Sequence, residues 1–297
     1  MRRLDKFEMA RRILLRPPGV IHRMRLYVAF RIFAARWAAT ESFDLKIREV
    51  LASPDNARIP KVNGAGTLQD GCLIMHNGVR VVPNSYVGEG MTRLLRANGG
   101  VHEPQEEFAF SQVLRWLSPK ASMLELGSYW AFYSLWFGQC VAGAKCFCVE
   151  PEEENLHFGQ MNFETNGRKA RFLRAFVGES DRPAQEAAVA PTRCVDSLMR
   201  EFALNHLDLL HADIQGHELE MLQGARESLE KRNIDYVFIS SHSNRLHYEC
   251  LDLLERSGYV VLADADLLET FSHDGVIVAG RKGLPHLQAI PISKKKP

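Results

Sequence analysis

The sequence predicts an α/β protein: a doubly wound, mostly parallel seven-stranded sheet with a helical N-terminal arm and a small β-hairpin region. Three observations carry this reading. From about residue 104 onwards, strand-like and helix-like segments alternate. The segments CFCVE (146–150), YVFIS (236–240) and VIVAG (276–280) are apolar almost throughout, as strands covered on both faces are. Finally, MLEL (123–126) runs straight into Gly127, the kind of tight turn that opens the first strand-to-helix connection of such a sheet.

The composition allows one sizeable core: 297 residues, 46% hydrophobic and 25% charged. A formal net charge of +1 gives the whole chain no electrostatic preference for nucleic acid or a strongly acidic substrate. Residues 1–50 differ from the rest. The first forty carry ten Lys or Arg against only Asp5 and Glu8, mixed with apolar positions such as Ile21, Met24, Tyr27 and Phe30, and RPPG at Arg16 to Gly19 cuts the segment in two. Two uses of this basic helical arm stay open: packing on the main domain or on a second subunit, or lying on the anionic inner face of a membrane. The apolar run LYVAFRIFAARWAA is interrupted by Arg31 and Arg36, and no apolar stretch reaches the about 18 residues that a membrane span requires. Six cysteines (Cys72, Cys140, Cys146, Cys148, Cys194, Cys250) are scattered without a CxxC pair and read as reduced thiols. The expected location is therefore the cytoplasm, peripheral to a membrane if the arm binds one.

Residues 51–103 are rich in Gly, Asn and Pro. Asn77-Gly78, between GCLIMH and VRVVP, predicts a β-hairpin whose two central residues both take positive φ. Residues 104–283 form the main domain. It should hold a helix over 105–117, a strand over 122–126, a helix over 130–141, a strand over 146–150, a helix over 152–166 and a strand over 171–177. A strand over 208–213, a helix over 217–229, a strand over 236–240 and a helix over 245–257 follow, then paired strands over 259–263 and 275–279. Residues 284–297, ending in SKKKP, read as a frayed tail.

A ligand of such a sheet belongs at the carboxyl ends of its strands. The first loop, E-L-G-S-Y-W-A from Glu125, has one glycine where a pyrophosphate cradle would need three, so a dinucleotide is not expected. S-adenosylmethionine, with no phosphate, asks for less: one close backbone approach at Gly127, with Ser128 and Tyr129 following. At the second strand end, Glu150 can accept both ribose hydroxyls, and Pro151 starts the next helix. Glu125, an acid inside an apolar strand, needs a partner, and a ligand ammonium would be one. Tyr129 or Trp130 could attract a sulfonium through cation–π contact, although most of the aromatic cluster of Trp130, Phe132, Tyr133 and Trp136 fits helix packing. Glu106 and Glu107, before the first strand, are placed as closing the donor site from above.

The order LELGSYWAFYS, VEPEEENLHFGQMNFETNG, VDSLMREFALNHLDLLHADIQGHELEMLQGA and a strand ending in SSHS resembles the FkbM-type methyltransferases over about residues 103–280. The resemblance implies a class I, Rossmann-like methyltransferase fold, S-adenosylmethionine as cofactor, and methylation of hydroxyl groups on saccharides or secondary metabolites. Asp213, Gly216, Glu218, Leu222, Gly224 and Ala225 match the most specific block. Ala131 replaces the family's first-loop glycine, and Gln215 stands where Glu is common.

Methyl transfer to oxygen needs alignment of donor and acceptor and removal of the hydroxyl proton. The strand-end candidates for that proton are Asp213, His211, His217, Glu218 and His242. His242 is taken as the base or acceptor-orienting group, and Asp213 as lying near the methyl group or orienting the histidine. His247, within a helix, reads as structural. No metal is predicted, because no HxxxH or similar spacing occurs. The acceptor is expected to be a small molecule or glycan. RNA or protein methylation is the runner-up, set back by the missing basic stripe and NPPY-type tetrapeptide. A catalytically silent scaffold is the third reading, motivated by Ala131 and Gln215.

Overall fold

The computed structural model describes residues 43–184 and 190–296; the basic arm expected over residues 1–50 lies mostly outside them. Lys46–Pro297 is one compact unit. The main sheet has seven strands: β4 (Ser122–Leu126), β5 (Lys145–Val149), β6 (Arg171–Leu173), β9 (Leu207–Ala212), β10 (Ile234–Ser241), β11 (Tyr259–Ala265) and β12 (Gly275–Arg281). Their order is β11-β12-β10-β9-β4-β5-β6. The run from β10 to β6 is parallel, while β12 is antiparallel to both its neighbours. The order reverses between β4 and β9, which makes the carboxyl ends of these two strands the ligand crevice. Strands β4 and β12 bury nearly every residue, because helices cover both faces.

Several expected elements are displaced for identifiable reasons. The helix expected from Trp130 starts later, as α3 (Phe132–Cys140), after α1 (Gly88–Ala97) and α2 (Pro104–Leu114). Tyr129 and Ala131 both take positive φ, which no helix accepts. The helix α4 (Glu153–Thr165) agrees with expectation to within a residue at each end. The strand expected over 171–177 breaks after Leu173. Its second half, β7 (Phe176–Val177), pairs in parallel with the unforeseen β8 (Thr192–Arg193) in a separate two-stranded sheet. A further unforeseen helix, α5 (Val195–Glu201), follows.

The helix expected over 217–229 is two, α6 (Glu218–Gln223) and α7 (Arg226–Glu230), parted at Gly224. A side chain at Gly224 would come within 2.4 Å of the Gly178 carbonyl. Asp196 of α5 then caps α7, accepting from the Glu227 and Ser228 backbone N–H groups at 2.9 and 3.0 Å. The last helix, α8 (Asn244–Arg256), is capped locally by the Ser243 hydroxyl.

Residues 51–103 belong to the same compact unit as the main domain. Strands β1 (Leu68–Gln69), β2 (Cys72–Ile74) and β3 (Arg80–Val81) form a small antiparallel sheet. The backbone N–H groups of Arg80 and Val82 donate to the side chains of Asn166 and Asn162, at the end of α4. The hairpin at Asn77-Gly78 exists, but only Gly78 has positive φ. The Gly78 N–H donates to Met75 O, and the Met75 N–H to Val79 O, the three-residue loop with a glycine bulge. The C-terminal segment is likewise no frayed tail. Ile290 is buried, and Ser293 N–H donates to Asp55 Oδ2 while its carbonyl accepts from Gln105.

Small sheet and main domain are joined through a buried ionic cluster. Glu107 of α2 meets His76 of the hairpin at 3.0 Å and His102 at 2.6 Å. His102 also meets Glu103 at 3.2 Å, and the Tyr133 hydroxyl donates to Glu103 at 2.9 Å. Burial opposes charge on His102, but Glu103 and Glu107 raise its pKa to about 10. Burial also pushes the Glu107 carboxyl up, yet His102 and His76 hold it well below the usual carboxylate range. The positions expected to close a donor site are therefore buried: Glu107 here, and Glu106 on His211 at 2.7 Å and on the Ser240 hydroxyl at 2.8 Å.

Two outcomes follow for stability. Replacing Glu107 by Ala leaves His76 buried without its acid and His102 with Glu103 alone, and should cost about 3–5 kcal/mol in urea unfolding. The raised His102 contributes fully below its ordinary pKa and loses its effect as pH rises through about 10, whereas the lowered Glu107 contributes above the ordinary carboxylate range and loses its effect as pH falls. The stability difference between wild type and Glu107→Ala should therefore be widest at about pH 5 to 6.5.

Candidate active site

The rim of the sheet at β4 and β9 is shaped by one backbone crossing. Gly127, at φ +70°, passes so close to the next strand end that a side chain there would lie 1.8 Å from the Asp213 carbonyl. The Asp213 carbonyl by itself thus requires glycine here. Gly127 and Ser128 donate their N–H groups to Val149 O, and Tyr129 donates its N–H to Glu150 Oε2 at 3.1 Å. Ala131 sits at φ +57°, which explains why glycine suits this place; its methyl group faces Gly159, where a side chain would clash with the Tyr129 carbonyl.

Beside this crossing lies a groove of about 440 Å³, lined among others by Gly127, Tyr129, Glu150, Pro151, Asp213 and Gln215. Glu150 accepts from Glu152 N–H at 3.1 Å and from Asn155 at 3.3 Å. Burial raises its carboxyl despite these donors. Three carboxylate residues, Glu150, Glu152 and Asp213, line the groove, and among the described residues none of its lining is Lys or Arg. Trp130 is not among the lining residues; its ring stacks on Tyr86 at 4.7 Å. Ser128 is buried, with its hydroxyl meeting no partner among the described residues.

Glu125 is not in the groove. Its carboxylate turns under the loop and accepts from the Ser134 N–H at 2.9 Å, so its partner is the first turn of α3 rather than a ligand ammonium. Burial raises its carboxyl. The sequence shows an acid in an apolar strand; that the strand's own following helix satisfies it depends on the turn at Gly127.

A second constellation adjoins the groove through Asp213. His242, just past β10, directs Nδ1 to Glu218 Oε1 at 2.8 Å and Nε2 to Asp213 Oδ1 at 3.3 Å and Asp274 Oδ1 at 3.5 Å. The Gln215 amide donates to Asp213 at 3.1 Å, and Gly216 N–H to Glu218 at 2.9 Å. Burial opposes charge on His242, but Asp213, Glu218 and Asp274 raise its pKa to about 10. Near neutrality the ring holds protons on both nitrogens, each directed at a carboxylate, so it is not poised to take a hydroxyl proton. This corrects the expectation of His242 as base and leaves its orienting role.

The other histidines separate clearly. His211 is buried on Glu106, His247 is buried with Nδ1 2.9 Å from the Ser241 hydroxyl, and His217 is exposed at the groove's edge. All six cysteines are free. One possible metal cluster occurs among the described residues, His206, Asp208 and Asp235, at the opposite end of β9 and β10. Its carboxylates are already engaged, by Ser122 and by His206 and Arg281. Asp274 is the site residue that sequence reading missed, because it precedes a strand rather than ending one.

No curated protein matches the chain. Among solved structures it is similar to precorrin-6y C5,15-methyltransferase from Geobacter metallireducens GS-15, at 14% identity over 59% of this chain and 89% of that one, with a TM-score of 0.40. It is also similar to ribosomal protein L11 methylase from Lactobacillus delbrueckii subsp. bulgaricus, at 11% identity over 61% and 81%, TM-score 0.43. A third is a SAM-dependent methyltransferase from Aquifex aeolicus, at 16% identity over 57% and 88%, TM-score 0.37. The family model described as methyltransferase FkbM domain matches residues 152–261. Asp213, Glu218 and His242 all lie inside the stretch that matches the methyltransferase FkbM domain model.

Proposed function

We propose that this protein transfers a methyl group from S-adenosylmethionine to a hydroxyl oxygen of a saccharide or secondary metabolite. The observation that carries the donor assignment is the charge of the groove: three carboxylates and, among the described residues, no Lys or Arg line it. Such a lining repels a pyrophosphate and suits a ligand with a sulfonium and an ammonium. When bound, the donor supplies an electrophilic methyl group. Glu150, held by two backbone N–H groups, keeps lone pairs for ribose hydroxyls. Asp213 stands at the junction of groove and histidine constellation, where the acceptor oxygen and the methyl group would meet. His242, as an imidazolium, fixes the Asp213, Glu218 and Asp274 carboxylates in one arrangement. The chain's contribution is then mostly alignment in a site of fixed charges.

The acceptor side carries Asp213 and Asp274 at the rim, with Glu103 behind them. A polyphosphate or nucleic-acid backbone would meet like charge there, whereas neutral hydroxyls can donate to carboxylates.

Calorimetry with S-adenosylmethionine should show binding, with NAD showing none. Absence of donor binding at millimolar concentration would sink the reading. Glu150→Gln should weaken donor binding by about 10- to 100-fold, the worth of charge-assisted hydrogen bonds. Asp213→Ala and His242→Ala should lower transfer of tritiated methyl groups to methyl glycosides by more than about 100-fold, with a smaller change in donor affinity. Unchanged turnover in both would refute their roles.

A further inference from the structure

A hydroxyl that takes a methyl group must lose its proton, and His242 with both nitrogens facing carboxylates is not where that proton goes. Its Nε2 faces two acids, Asp213 and Asp274, and they differ. Asp213 Oδ1 accepts from Gln215 as well as facing the imidazolium, so two donors already occupy it. Among the described residues, His242 is the one hydrogen-bond donor within reach of the Asp274 carboxylate. It is 23% exposed, against 0% for Glu218 on the other side of the ring, so a substrate can reach it.

Its position follows from topology. Strand β12 is antiparallel to β10, with Gly275 opposite Ser241. The start of β12, rather than its end, therefore lies at the carboxyl rim, one imidazole away from the groove residue Asp213.

Resting on the O-methylation reading above, we infer that Asp274 accepts the proton of the acceptor hydroxyl, with His242 and Asp213 as positioning residues. In this step a lone pair of the acceptor oxygen forms the O–CH3 bond while the S–CH3 bond breaks and its electron pair returns to sulfur. The O–H proton passes to the Asp274 carboxylate. Sulfonium, alcohol and carboxylate become thioether, methyl ether and carboxylic acid, and the acid then releases its proton to water.

The groups facing Asp274 are His242, Asp213, Glu103, Lys46 and the Tyr86 phenol. Burial, with the charges of Asp213 and Glu103, raises the Asp274 carboxyl to about 7 against the opposing pull of His242 and Lys46. A carboxyl that titrates there can both take and release a proton near neutrality.

The test measures transfer of tritiated methyl groups from S-adenosylmethionine to a mixture of methyl glycosides over about pH 5.5 to 9, with wild type, Asp274→Asn and Asp274→Glu as full chains. Wild-type turnover should rise with pH through an apparent pKa near 7. Asp274→Asn should lose that rise and about 100- to 10,000-fold of the rate, with the donor dissociation constant by calorimetry within about threefold of wild type. Asp274→Glu should keep the rise and part of the rate. An Asn variant within threefold of wild-type turnover, or with the rise intact, overturns the role of Asp274 alone, as does one that has lost donor binding. A wild type that binds the donor but methylates no glycoside overturns the O-methylation reading, and this assignment with it.

Discussion

The contact between the Gly127 backbone and the Asp213 carbonyl is the constraint on which the carboxyl rim depends. No side chain fits there, since its first carbon would lie 1.8 Å from the carbonyl oxygen. That closeness lets β4 and β9 end side by side and sends the chain after Gly127 sideways, past Val149, so that the Tyr129 N–H reaches Glu150. It also turns Glu125 beneath the loop, where the N-terminus of α3 receives its carboxylate. One backbone crossing thus fixes the floor of the groove and decides which of two neighbouring acids lines it.

Two histidine–carboxylate clusters flank this crossing with different consequences. His102 is 2% exposed and enclosed by Glu103 and Glu107, with its protons committed to structure. Burying such charges is costly unless each is paired, and here pairing is nearly complete, which ties the hairpin to α2. His242 is built from the same residue types, but it is 15% exposed and two of its three acids reach the surface. Partial exposure is what separates a cluster that holds the fold from one that can exchange protons with a substrate.

Two departures from the family pattern have local explanations. Ala131 takes a left-handed conformation, a strain of about 1 kcal/mol, and keeps its place because Gly159 leaves room for its methyl group. Gln215 donates to Asp213 through its amide. A glutamate there could not donate that bond when ionised, so in this chain the position serves to hold Asp213.

The sequence by itself determined the seven strands of the sheet and placed Gly127, Glu150, Asp213 and His242 at strand ends, with Glu218 just beyond one. These rest on periodicity and on turn chemistry, which act over a few neighbouring positions. Glu106, Glu107 and Glu125 looked equally available from sequence, yet their carboxylates are buried against His211, against His76 and His102, and against a helix N-terminus. The break at Gly224 and the cap of α7 by Asp196 were hidden for the same reason, because they depend on groups far away in the chain. Tertiary structure alone decided the protonation of His242 and the place of Asp274. Charge on a buried imidazole is set by the acids around it, and those acids come from two segments far apart in the chain, the stretch from Asp213 to Glu218 and Asp274, which meet only when the antiparallel strand β12 closes the rim.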